Sequence, residues 1–122
     1  MKNDLMKSKL TTPFFKRVYT IVQQIPYGKV TTYGLIASTL GTKDARRVGH
    51  ALHANPDESN IPCHRVVDKT GRLAPNFAFS GWREQEQRLK SEGVNFVDEM
   101  HVRIDLHLWH PDQSNLHLTQ TS

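Results

Sequence analysis

The order of apolar and polar positions divides the chain into short segments. Residues 1–13 carry lysines and no apolar period, and read as a flexible N-terminal arm. From there Phe14, Val18, Ile21, Val22 and Ile25 keep the spacing of one buried helical stripe. Pro26-Tyr27-Gly28 ends that helix, and Lys29-Val30-Thr31 is a short extended link. Thr32 is a cap for a second helix, Tyr33 to Leu40, with Leu35, Ile36 and Leu40 turned inward and Gly41 as its stop. Thr42 is a cap for a third helix, Lys43 to Ala54. Asn55-Pro56 breaks it, because the residue before a proline avoids the helical region. Two short helices joined by a tight Gly-containing turn read as a helix-turn-helix.

Beyond the loop 57–60, Ile61 to Val67 is short and β-branched, which predicts a strand. Asp68-Lys69-Thr70-Gly71 is a turn signal, and 72–79 reads as irregular or as a wing. Ser80 is a cap for a last helix from Gly81 to Ser91, ended near Gly93. Residues 94–109 alternate weakly, which suits strand or ordered tail, and 112–122 reads as a disordered tail. The pattern therefore predicts a mostly helical α/β domain over 14–111. Its expected type is winged-helix-like, with a helix-turn-helix and a small sheet or wing.

Composition narrows the function. A chain of 122 residues is one domain with tails, and 37% hydrophobic content supports a modest core. One cysteine cannot form an internal disulfide, and no apolar run suits a signal peptide or membrane span. The expected setting is a cytoplasmic, nucleoid-associated monomer. The net charge of +4 fits a polyanionic partner. On a helical wheel of the third helix, Lys43, Arg46, Arg47, His50 and His53 share one half, opposite Ala45, Val48, Gly49 and Leu52. That layout suits a helix laid on a phosphate backbone, and equally a solvated outer face. The small residues Ala45, Gly49, Ala51 and Ala54 keep the helix slim, so that basic side chains read groove shape more than sequence. The histidines form no metal signature, since His50 and His53 lack a second ligand pair.

The chemistry centres on Ile61-Pro62-Cys63-His64-Arg65-Val66, which holds the only cysteine. Adjacent imidazole and guanidinium groups favour thiolate, the nucleophilic form. A free cysteine is equally at home as an inert buried residue.

Several segments in order resemble the O6-alkylguanine-DNA alkyltransferases. Residues 26–33, Pro-Tyr-Gly-Lys-Val-Thr-Thr-Tyr, look like that family's helix-turn-helix entry. Residues 45–49 look like the start of its recognition helix, Asn55-Pro56 like its hinge, and 62–67 like its active-site string. Phe79-Ser80-Gly81 resembles its Tyr-Ser-Gly lesion pocket, with phenylalanine replacing the usual tyrosine, and Glu92-Gly93 follows the last helix as in the family.

The resemblance implies that Cys63 accepts an alkyl group and that His64 acts as general base through a water. Glu92 would orient and charge-stabilise His64. Arg46 would fill the gap left by a flipped guanine, and Tyr33 would press the 3′ phosphate. Asn55 would tie the hinge to the active-site loop, and Ser80 would donate toward the guanine O6. Thr32, Lys43 and Arg47 join the expected DNA contacts, and Pro62, Arg65 and Phe79 the expected pocket. Strand alternation at 63–64 separates the two side chains, so a water relay suits them better than direct contact. The implied substrate is duplex DNA carrying O6-alkylguanine, converted once per protein without metal or organic cofactor. Only about 13 residues precede Phe14, whereas the larger family members carry an N-terminal domain there. Residues 104–111 resemble the tail of the short alkyltransferase-like proteins, which usually hold tryptophan in place of Cys63. Those bind the lesion without repairing it and hand it to nucleotide excision repair.

Overall fold

The computed structural model describes residues 12–75 and 81–117. Thr12 caps α1 (Pro13–Val22), its hydroxyl accepting from Phe15 N at 3.3 Å, and Pro13 occupies the first turn, where its missing N–H costs nothing. The predicted stripe is the buried one: Val18, Ile21, Val22 and, past the helix end, Ile25 lie inside. Burying each such side chain contributes roughly 1.5–3 kcal/mol.

Thr31–Thr32 form β1, and Thr32 also caps α2 (Tyr33–Thr39), accepting from Leu35 N at 3.1 Å. The third helix, α3, covers Ala45–His53 and is shorter than expected. Its cap is Asp44 rather than Thr42: the Asp44 carboxylate accepts from Arg47 N at 3.0 Å, and the Thr42 hydroxyl accepts from Asp44 N at 3.1 Å. Lys43 thus precedes the helix, on an exposed turn. The Tyr19 hydroxyl donates to Ala51 O at 2.7 Å and fixes α1 across α3.

The segment predicted as a strand over 61–67 behaves differently. Cys63–Arg65 form a 3₁₀ turn, and only Val66–Val67 are extended, as β2. β2 runs parallel to β1, with Thr31 opposite Val66 and Thr32 opposite Val67. This pairing anchors the cysteine-bearing turn against the start of α2. It also joins the two apolar clusters, since Val66 belongs to the one under α1–α3 and Val67 to the one under the last long helix.

That helix, α4, spans Trp82–Ser91. Gly81 is its N-cap and makes no side-chain capping bond; Ser80, the expected cap, lies outside the described residues, as does Phe79. The weakly alternating stretch resolves into β3 (Phe96–Asp98) antiparallel to β4 (His101–Val102), then α5 (Ile104–His107). Arg72 bridges to His101, and Leu73 N donates to Met100 O at 2.8 Å, so the start of the predicted wing lies along this hairpin, while 76–79 lie outside the described residues. Gly71 sits there with φ +89°, and a Cβ on it would fall 2.6 Å from Val102 O, so only glycine fits. Trp109 N donates to Val30 O at 2.7 Å, and its side chain packs on the first cluster. Within 112–117, where the sequence suggested no order, α6 (Ser114–His117) places Leu116 on the same cluster; the rest of the expected disordered tail, 118–122, lies outside the described residues. Among the described residues no helix is long and apolar enough to cross a membrane.

Candidate active site

Three segments far apart in sequence meet at Glu92, the C-terminal cap of α4. From the 3₁₀ turn, His64 Nε2 lies 2.6 Å from Glu92 Oε2. Arg65 reaches the same carboxylate, Nε donating to Oε1 at 2.9 Å and Nη2 to Oε2 at 3.0 Å. From the turn after α1, Gly28 N donates to Oε1 at 3.1 Å. Gly28 has φ +81°, and a Cβ there would approach Glu92 O at 3.3 Å. The Pro26-Tyr27-Gly28 stop signal therefore also cradles the carboxylate, a second role that no local pattern announces. The Glu92 side chain is only 6% exposed. Its hydrogen bonds and the facing charges outweigh burial and hold its carboxyl below the usual range.

Arg65 changes the picture at His64. Burial pushes the imidazole below its ordinary value; the Glu92 hydrogen bond and charge oppose this, while the Arg65 and Arg88 charges add to it. The neutral ring is thus favoured at pH 7. With Nε2 against an ionised carboxylate, the hydrogen bonding assigns the proton to Nε2 and leaves Nδ1 as an acceptor. Nδ1 is buried with no partner among the described residues. A neutral base with a free lone pair, backed by a carboxylate, can take up a proton and be stabilised when it does.

Cys63 begins the 3₁₀ turn and is half-buried. The sequence argument for a low thiol pKa is not met. Burial pushes the thiol up, and the Asn55 amide and the Arg88 charge only partly oppose it. The expected electropositive neighbour, Arg65, is turned to Glu92 and to Ile25 O, which accepts from Nη1 at 2.9 Å. Arg65 is therefore a support for Glu92. Asn55 donates from Nδ2 to Ile61 O at 2.8 Å and accepts from Asp57 N at 2.8 Å, tying the end of α3 to the loop before the cysteine. Pro62 precedes the turn, its carbonyl accepting from Arg65 N at 3.0 Å.

The basic helix shows Arg46, Arg47, His50 and His53 exposed and Val48, Ala51 and Leu52 buried. The two arginines differ, for the Arg47 guanidinium lies 4.2 Å over the Phe14 ring. A Cβ at Gly49 would meet nothing within 4 Å, so nothing among the described residues demands this glycine. Tyr33 is half-buried, and burial pushes its phenol up to about 12, which keeps it protonated. Thr32 is 6% exposed, with its hydroxyl committed to capping α2. Among the described residues no cluster of His, Cys, Asp and Glu could hold a metal.

A helix-turn-helix with a half-buried thiol behind it is the combination on which known proteins can be compared. The family model described as 6-O-methylguanine DNA methyltransferase, DNA binding domain, matches residues 13–94. The chain belongs to this family. The alkyltransferase-like protein 1 of Schizosaccharomyces pombe is 38% identical over 104 residues, covering 80% of this chain and 95% of the relative. A methylated-DNA–protein-cysteine methyltransferase of Methanosarcina acetivorans is 43% identical over 83 residues, covering 67% of this chain and 52% of the relative. This chain thus spans nearly all of the first relative and about half of the second. The crystal structure of S. pombe Atl1 in complex with damaged DNA containing O6-carboxymethylguanine superposes with a TM-score of 0.69 at 35% identity, covering 80% and 95% of the two chains.

Gln85 is the residue that sequence reasoning missed. It is fully buried on α4, four residues before the fully buried Leu89. A polar side chain on the inward stripe of a helix was the available signal.

Proposed function

We propose that this protein binds duplex DNA through α3, extrudes an O6-alkylguanine and takes its alkyl group onto Cys63. The relay carries the reading: a neutral His64 with a free, buried Nδ1, backed by Glu92 at 2.6 Å, one residue from a half-buried thiol. Relatives of both kinds, transferase and damaged-DNA binder, support the substrate class.

The target atom lies in the base stack, so the nucleotide must leave it, at a cost of a few kcal/mol. Exposed Arg46 is the side chain suited to enter the gap, and Arg47, Lys43 and the helix histidines to face phosphates. The Cys63 sulfur attacks the alkyl carbon while the thiol proton passes toward His64 Nδ1. The carbon–O6 bond breaks with its electron pair going to the guanine, which takes up a proton from solvent, balanced by the one that His64 later releases to solvent. Glu92 stabilises the imidazolium that forms, and Arg65 holds the Glu92 carboxylate in place. The thioether product ends the reaction after one turnover.

A lesion sensor is the second reading. Two observations favour it: the thiol is pushed up by burial, and the chain spans 95% of an alkyltransferase-like relative. A transfer assay with alkyl-labelled duplex decides. Label carried over to the parent but not to Cys63→Ala supports transfer, while tight lesion binding by both with no carry-over supports the sensor.

A further inference from the structure

We propose that Gln85 is a positioning residue for the relay, its amide acting as a clamp that sets the backbone of the His64 turn. This deepens the reading above and rests on it. The Gln85 side chain is fully buried. Its Nε2 donates to His64 O at 3.1 Å and to Val66 O at 2.9 Å, and its Oε1 accepts from Ala74 N at 2.8 Å. Both donors and the acceptor are thus used. The Ala74 N–H fixes the amide orientation, because a flipped amide would set NH₂ against N–H.

The three partners are not a random set. His64 O and Val66 O lie where the 3₁₀ turn passes into β2, so the clamp fixes the rotation of the backbone from which the imidazole projects. Ala74 lies on the strand-like segment that pairs with the hairpin. Gln85 and Glu92 sit on the same helix, seven residues apart, two turns by helical geometry. One helix therefore holds His64 twice, by its backbone through Gln85 and by its ring through Glu92. Few side chains can replace this amide. Glutamate would turn a carboxylate toward two carbonyls, methionine has the length but no hydrogen bonds, and asparagine is one methylene short.

The test uses the full chain with Gln85→Met and Gln85→Glu, and with Leu89→Ala as a control that loosens the same helix without touching the clamp. Long-range ¹⁵N NMR reads the His64 tautomer without DNA and without any transfer, so it stands even if the chain proves to be a sensor. In the parent, Nδ1 gives the signal of an unprotonated acceptor. In Gln85→Met it shifts toward a mixture of tautomers, and the single-turnover transfer rate falls by about tenfold or more, as misplacement of a catalytic group does. Lesion affinity stays within about twofold, because α3 is untouched. Gln85→Glu shows the same defect at pH 8, where the new carboxylate faces two carbonyls and has no proton to donate. Leu89→Ala lowers the melting point but keeps the parental tautomer. A parental tautomer and rate in Gln85→Met overturn the proposal. So does a tautomer change in Leu89→Ala as large as in Gln85→Met. If Gln85→Met does not fold, a parental His64 signal in Gln85→Glu at pH 8 overturns it equally.

Discussion

Replacing Glu92 by glutamine tests the relay and the fold together, and the two effects separate. The carboxylate accepts from His64, from Arg65 through two nitrogens and from Gly28 N, and is 6% exposed. Glutamine keeps one oxygen for Gly28 or Arg65. It turns an NH₂ toward donors on the other side and leaves the Arg65 charge, only 16% exposed, without its counter-ion. Breaking a buried pair from one side costs about 3–5 kcal/mol, and the retained oxygen argues for the lower end, about 3 kcal/mol. At roughly 4 °C per kcal/mol for a chain of this size, the melting point falls by about 12 °C. The folded fraction at 25 °C still supports an assay, so the chemical effect can be read. Without the carboxylate the imidazolium is not stabilised, and transfer from O6-methylguanine DNA slows by about 10²-fold. Lesion affinity changes little, because Glu92 caps α4 and is not part of the basic face of α3. The assay is single-turnover transfer beside a binding titration and a melt. Parental transfer at saturating DNA in the destabilised protein would refute the relay, leaving Glu92 as a purely structural anchor.

The two arginines of α3 should separate: Arg46→Ala weakens lesion binding by about 1–3 kcal/mol with less effect on undamaged duplex. Arg47→Ala lowers affinity for both duplexes alike, flattens the salt dependence and loses the Phe14 contact; equal selectivity losses in the two titrations contradict this division. Transfer should be nearly flat from about pH 7 to 8 and fall only below the ordinary histidine value of 6.5, because burial lowers His64 and the base must be neutral; a tenfold rise per pH unit across that range would show that thiolate forms without it. Both lowered groups bind protons less readily in the folded chain, so stability is full above 6.5, declines as His64 is forced to charge below it, and declines again below 4.5 as Glu92 protonates. Melts from pH 8 to pH 4 should show both losses. Tyr19→Phe strands the Ala51 carbonyl and should destabilise by about 1–2 kcal/mol in urea titration, without changing transfer in the folded protein.

What the sequence made legible was local. The stripe from Phe14 to Ile25, the Thr32 cap and the Asn55-Pro56 break depend on neighbours a few residues away, and all appear in the structure. The Thr42 assignment failed at the same range, because Asp44 competes for the same N-terminus with a charged oxygen. The shape of 61–67 was not legible, since the 3₁₀ turn is set by contacts with Glu92 and Gln85, more than twenty residues away in the chain. The Cys63 environment was misjudged for a related reason. Adjacent cationic residues in sequence suggested a lowered pKa, but Arg65 turns its charge onto Glu92 and burial dominates the thiol. The pairing of His64 with Glu92 came from family resemblance and not from spacing, and the structure sets the two side chains in contact.

Intact-mass spectrometry of the protein after incubation with O6-methylguanine duplex tests the central claim most directly. The account predicts a gain of about 14 Da, one methyl, localised to Cys63 by peptide mapping and absent from Cys63→Ala. An unchanged mass over hours, under conditions where the parent binds the lesion tightly, would contradict it and leave a protein that finds the damaged base without repairing it.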